Sequence, residues 1–141
     1  MDLKDQVGTT RQSRFRVERR HTVPALPLDH AVLATMPEVL ATPVLVAMME
    51  SACIQHIANL GTAPGLSLGR RVEIEHLAAT PVGCEVEFTT RLVSAEGRQL
   101  TFDITASDGI EAIARGRHDR VLVDRDRFAA KLAEKAKLVP R

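Results

Sequence analysis

A chain of 141 residues, 45 % hydrophobic and 26 % charged, has the size and composition of one globular domain with a real core. Its formal net charge of +1 offers no bulk attraction for nucleic acid or an anionic membrane. Four phenylalanines, with no Trp or Tyr, are too few for a base-stacking platform.

Residues 1–13 are polar and are expected to form a flexible N-terminal segment, with a single domain over 14–141. Phe15 and Val17 between charged neighbours predict a first strand from Arg14 to about Val23, broken by Pro24 and Pro27. Residues 28–41 are short apolar pieces around Met36-Pro37, read as a loop with a helical turn. Thr42-Pro43 then has the form of a helix start, Thr as N-cap and Pro at the first helical position. The helix would run through an apolar stretch to Gly61, a candidate C′ residue. At about 16 residues and carrying a charge, it falls short of the roughly 20 apolar residues of a membrane span. No charged n-region followed by an apolar run opens the chain, so no secretory signal is expected and a cytoplasmic location follows by default.

Gly61 to Gly69, with Pro64 and Gly65, reads as a loop. The hydrophobic period then changes from 3.6 to 2. Val72, Ile74, His76 and Ala78 alternate with Arg71, Glu73, Glu75 and Leu77. Pro81-Val82-Gly83 is a turn, followed by Cys84, Val86, Phe88, Thr90 and Leu92 in alternation. Glu96-Gly97 and the stronger Asp108-Gly109 are hairpin signals around a strand bearing Leu100, Phe102, Ile104 and Ala106. A last strand runs from about Ile110 to Val123, and Asp124 can cap an amphipathic helix with Phe128 and Leu132 as its inner stripe. A helix apolar nearly all round must be covered on most sides, and a single curved antiparallel sheet wrapped around it does this. The expected class is α+β with the hotdog arrangement; the alternative is a flatter sheet with the helix on one face.

Glu50 is the only formal charge between Val39 and Gly69. At helical spacing it shares a face with Val46, Met49, Cys53, Ile54 and Ile57. A carboxylate there is costly unless paired, hydrogen-bonded, wet or protonated, which points to a buried or interfacial site. His76 holds the inward register of its strand. A lone inward histidine is more often a satisfied core residue, but a Glu and a His on two elements that pack together make acid–base equipment. Thr42 reads first as a cap, and its hydroxyl could also face a substrate. Gly69 is either a turn glycine or a place where a backbone N–H approaches a substrate carbonyl. Cys53 and Cys84 read as small core residues. Ser51 lacks a nucleophile-elbow context, and His21, His30, His56, His76 and His118 have no metal-ligand spacing, so no metal is expected. Arg91, Arg98, Arg115, Arg117 and Arg120 read as a mostly solvated face, with a minor reading as phosphate contacts; a solvated or phosphate-facing place suits His118 as well as a catalytic one.

Met36-Pro-Glu-Val-Leu-Ala-Thr42, Met48-Met-Glu50-x-Ala-Cys53, Ser67-Leu-Gly69, Glu75-His76-x-Ala-Ala-Thr-Pro81 and Gly116-x-His118-x-Arg120 resemble the fluoroacetyl-CoA thioesterase family of hotdog proteins, over about Pro24 to Lys131. The resemblance implies hydrolysis of an acyl-CoA thioester by a homodimer, or a higher oligomer, with active sites at the subunit interface. It implies a catalytic group of Thr42, Glu50 and His76, with Gly69 holding the substrate carbonyl and Leu33 and Met36 lining the acyl site. No separate cofactor is implied, because coenzyme A is part of the substrate, and neither nucleic acid nor membrane is an expected partner. Fluoroacetyl-specific members carry phenylalanines in the lid segment before the helix. Here Leu33, Met36 and Leu40 stand in that segment, so the expectation is a general acyl-CoA thioesterase. A hotdog dehydratase or hydratase and a non-catalytic acyl-CoA-binding module are the alternatives.

Overall fold

The computed structural model describes residues 2–61 and 66–140. Five strands form one antiparallel sheet: β1 (Thr10–Arg16), β2 (Leu66–His76), β3 (Glu85–Glu96), β4 (Gln99–Ser107) and β5 (Ala112–Val123), in the spatial order β1-β3-β4-β5-β2. Helix α1 (Thr42–Ala58) lies between β1 and β2 in the chain, and helix α2 (Arg125–Ala136) follows β5. α1 packs against β3 and also against β1 and β2, the two opposite edges of the sheet. A sheet whose two edges both reach one helix must curve around it, and this is the hotdog arrangement.

The core lies between them. α1 contributes Leu45, Met49, Ala52, Cys53 and Ile57, and the strands contribute Val86, Phe88, Leu92, Leu100, Phe102 and Ile104, all fully or nearly fully buried. His56 is buried with them because both ring nitrogens are satisfied: Nδ1 stands 2.8 Å from Thr90 Oγ1 and Nε2 3.0 Å from Thr9 Oγ1. Both hairpins form where the turn residues place them. Gly97 (φ 59°) and Gly109 (φ 85°) take the positive φ that L residues avoid, and Asp108 accepts from the N–H groups of Ile110 and Glu111.

Several local expectations shift. The first strand starts at Thr10, four residues before Arg14, and ends at Arg16, giving way to 3-10 turns at Arg19–His21 and Val23–Ala25. Thr10 to Arg16 is polar, yet as an edge strand it needs little apolar surface: it pairs with β3 from Thr10↔Arg91 to Arg16↔Glu85, and Arg14 adds a 2.7 Å ion pair to Glu87. A 3-10 turn at Leu3–Gln6 precedes it, with Leu3 packed on the core, so this stretch of residues 1–13 has regular structure. The helical turn in residues 28–41 is the 3-10 segment Ala31–Thr35. Leu66 to Gly69 belong to β2 rather than to a loop, while Pro64 and Gly65 lie outside the described residues. α1 is capped at its C-terminal end by Asn59, so Gly61 (φ 76°) sits one residue beyond the C′ position. In α2 the Asp124 cap is present, accepting from Arg127 N at 2.9 Å. Its inner stripe reduces to half-buried Phe128, because Leu132 is 55 % exposed.

Candidate active site

The N-cap of α1 is Ala41, which makes no side-chain cap, and Thr42 is the first helical residue. Thr42 is therefore not the capping residue, and its hydroxyl is free for another partner. Its Oγ1 lies 2.8 Å from Nδ1 of His76, at the last position of β2. His76 is half-buried, and its Nε2 is buried without a hydrogen-bond partner among the described residues, although the Ala78 backbone is near enough to favour the charged ring slightly. Burial outweighs that effect and holds His76 below the ordinary histidine range, so the ring is neutral at neutral pH. A hydroxyl at hydrogen-bond distance from a neutral imidazole is the geometry of a nucleophile or proton donor with its base.

Glu50 lies eight residues along α1 from Thr42, about 12 Å of helix rise. Its carboxylate meets a different set of groups. Oε1 is 3.5 Å from Arg120 Nη1 and 3.7 Å from His118 Nε2, and it lies against Gly69, where a Cβ would collide with it. Glycine at this point of β2, beside the register shift between Gly69 and Arg71, is what lets a carboxylate approach the backbone so closely. Within one chain, then, Glu50 meets Gly69, His118 and Arg120, and His76 meets Thr42. The Glu50 side chain is 39 % exposed, on the side of α1 where Pro43, Ala47, Ile54 and Ala58 are also exposed.

Arg120 does not join the solvated arginines. It is 4 % exposed, with Nε donating to Ser67 Oγ (3.0 Å), Nη2 to the Ser67 carbonyl (2.9 Å) and Nη1 to His118 Nε2 (3.1 Å). His118, fully buried, donates from Nδ1 to the Arg71 carbonyl at 2.7 Å. That bond assigns the tautomer: Nε2 keeps its lone pair and accepts from Arg120. Burial first, and then the Arg120 charge, keep His118 below the usual histidine range, in agreement with a neutral ring. The signal for Arg120 was present in β5. Gly116, His118, Arg120 and Leu122 alternate on one face, and Leu122 marks that face as the inner one. Arg115 and Arg117 fall on the other face and pair with Glu75 and Asp103.

Leu33 is half-buried and Met36 is 42 % exposed, around the 3-10 turn ahead of α1. Leu40 ties this segment to the sheet end beyond His76 by donating to the Thr80 carbonyl at 2.8 Å. Cys53, fully buried behind Glu50, has its thiol pushed up to about 12 by burial and is chemically inert. No helix among the described residues is long and apolar enough to cross a membrane.

His56, His76 and His118 all sit below the ordinary histidine value, mainly through burial. A histidine released by unfolding binds a proton more readily than these do. Their contribution to stability is complete above the unfolded value of about 6.5 and is lost as pH falls through the lower folded values. The melting temperature should therefore be lower at pH 5.5 than at pH 7.5, measured by circular dichroism. An unchanged melting temperature would contradict the neutral assignment.

Residues 17–126 match the family model of the fluoroacetyl-CoA-specific thioesterases. The chain is 36 % identical over 135 residues to the fluoroacetyl-CoA thioesterase of Streptantibioticus cattleyicolor, covering 94 % of this chain and 97 % of that protein. A solved fluoroacetyl-CoA thioesterase superposes with a TM-score of 0.88 at 36 % identity, covering 95 % of this chain and 97 % of the other. A variant solved in complex with acetyl-CoA gives 0.87 at the same identity, covering 92 % and 97 %. A hot-dog-like protein from Thermanaerovibrio acidaminovorans, 24 % identical with full coverage of both chains and a TM-score of 0.81, shares the fold. With its sheet, its helix and nearly its whole length matched in this way, the chain belongs to the fluoroacetyl-CoA-specific thioesterase family.

Proposed function

We propose that the protein hydrolyses an acyl-CoA thioester to the free acid and CoA at a site assembled between two copies of the chain. Thr42 and His76 come from one copy and Glu50 and Gly69 from the other. The observation that carries this reading is the separation within one chain: a Thr42–His76 pair at 2.8 Å, and a Glu50 carboxylate eight residues along the helix with other partners. One thioester carbonyl cannot touch both groups of a single chain across about 12 Å of helix. The exposed apolar side of α1 around Glu50, together with β2 as a free sheet edge, supports pairing with a second copy. A two-fold dimer, or a higher assembly built on it, would bring each Glu50 to the other chain's Thr42 and His76.

In this site the N–H of Gly69 faces the developing oxyanion. Glu50 supplies the carboxylate that attacks the carbonyl or takes a proton from the attacking water. In the general-base route His76, linked to Thr42, passes the proton taken from water on to the leaving thiolate; in the direct-attack route CoA leaves as the thiolate and water then opens the anhydride to the free acid. Oxygen-18 water in a single turnover tests the first role of Glu50: label in its carboxylate marks a mixed anhydride opened at the Glu50 carbonyl, whereas general-base attack by water, or an anhydride opened at the substrate carbonyl, leaves Glu50 unlabelled and puts the label in the product acid. Leu33 and Met36 take the acyl side, where a flexible thioether cannot copy a rigid aromatic gate, so the acyl range extends beyond fluoroacetyl. Because the family's chemistry is hydrolysis, a panel of short acyl-CoAs with a thiol reagent is the direct test. Release of free CoA supports the reading, and hydration or mere binding without thiol release refutes it. A cytoplasmic location is part of the same proposal, since the reaction needs a compartment that supplies CoA thioesters.

Gly69→Ala gives a further outcome. The new Cβ meets the end of a flexible carboxylate rather than backbone, so the fold should survive while Glu50 is displaced. CoA release should drop about tenfold or more with an unchanged melting temperature. Unaltered turnover would remove Gly69 from the site.

A further inference from the structure

A cavity of about 210 Å³ opens between the edge strand β1 and α1. Arg11, Ser13 and Phe15, the half-buried side of β1, line it together with Met48 and Ser51 of α1 and Phe88 of β3. It lies away from the groups assigned to catalysis. On an α-helix Met48 and Gln55, which also meets the cavity, project from the side nearly opposite Glu50. β1 is likewise the edge of the sheet opposite β2, the strand that carries Gly69.

Arg11 is the residue that the chain leaves incomplete. Its Nη1 is buried with no hydrogen-bond partner, as is one other side-chain atom among the described residues, Nε2 of His76. A buried charged donor without a partner is costly, and native structures complete such groups with a ligand, an ion or water. Arg14 also lines the cavity, but it is committed to Glu87 at 2.7 Å. No carboxylate stands within ion-pair distance of Arg11 among the described residues, and no acidic side chain lines the cavity. The uncancelled charge is felt at His56, which is held below the usual histidine range first by burial and then by Arg11.

These features select a ligand. One free cation suits a singly charged anion, and a planar guanidinium suits a carboxylate, which can take two N–H groups at once. Ser51 Oγ accepts from Gln55 Nε2 at 3.1 Å and keeps its own proton to give. Phe15, Met48 and Phe88 offer an apolar wall to a hydrocarbon chain. A volume of 210 Å³ holds about seven water-sized groups, which an acid of a few carbons would fill. We infer that this cavity is a second ligand site, binding a small monocarboxylate through Arg11 with its hydrocarbon chain against Phe15 and Met48. The inference does not depend on the thioesterase reading.

The test titrates the full chain, labelled with nitrogen-15, with sodium butyrate at constant ionic strength. In the wild type the Nε–H signal of Arg11 should move saturably, with a dissociation constant on the order of 1 mM. Inorganic phosphate and chloride should bind at least tenfold more weakly. Arg11→Met should fold, because it removes a donor that no described residue satisfies, and its Ser13 and Ser51 amide signals should respond to butyrate at least tenfold more weakly. Arg11→Lys keeps the charge without the planar fork and should fall between the two. His76→Ala should bind butyrate here as the wild type does, which separates this site from any product acid held at the catalytic group. An Arg11 signal that butyrate leaves in place, an equal response to phosphate or chloride, or equal affinity in the wild type and either Arg11 variant would overturn the assignment.

Discussion

A Glu50→Gln chain should release CoA at no more than about one-hundredth of the wild-type rate. The amide keeps the size and shape of the side chain and removes both its charge and its ability to attack or to take a proton. The substitution leaves a buried guanidinium opposite a neutral group, but Arg120 retains two bonds to Ser67 and one to His118. The fold should therefore persist, and a melting curve run beside the kinetics checks it. Because Glu50 is 39 % exposed in one chain, the loss of its ion pair is a modest stability change next to the loss of chemistry. Near-wild-type turnover in a folded Glu50→Gln protein would remove Glu50 from the mechanism.

His76→Ala is expected to lower kcat by about 10²- to 10⁴-fold, the range for removing a positioned acid–base group. Thr42→Val, which keeps shape and loses the hydroxyl, should cost much of the same effect. The pair is joined by one 2.8 Å hydrogen bond, so the double variant should be little worse than the His76→Ala single. Additive losses would mean that the two side chains act separately. The wild-type pH profile carries the same information. With His76 held down by burial, the acid limb of the kcat/KM profile should have its midpoint below the ordinary histidine value of about 6.5. A midpoint above that value would contradict a His76 held down by burial.

Much of the fold can be read from local chemistry. The switch from period 3.6 to period 2 after Gly69, and the Gly97 and Gly109 turns, fix one helix followed by hairpin-linked strands. The polar edge strand from Thr10 is less legible, because its stability comes from pairing with β3 and from the Arg14–Glu87 ion pair, neither of which leaves a hydrophobic period. The start of α1 shows a similar limit. Thr-Pro has the composition of a cap, yet the N-cap falls one residue earlier at Ala41, and Thr42 turns to His76, a partner 34 positions away. Glu50 stands out by its charge alone. Its neighbours do not, since Arg120 resembles Arg115 and Arg117 until the inward register of Leu122 is extended backwards through β5. The weak docking of α2 is likewise hidden, because an amphipathic stripe of Phe128 and Leu132 does not reveal that Leu132 is left uncovered.

Mixed dimers separate a site completed by two chains from one contained in a single chain. Glu50→Gln chains and His76→Ala chains, each inactive alone, are mixed under conditions that exchange subunits, and CoA release is followed. If Glu50 acts on the partner's Thr42–His76 pair, each mixed dimer has one site with both groups intact, and random mixing should restore roughly a quarter of wild-type activity. If all three groups act within one chain, every site in every dimer carries a lesion, and activity that stays at the level of the parent variants would contradict the account.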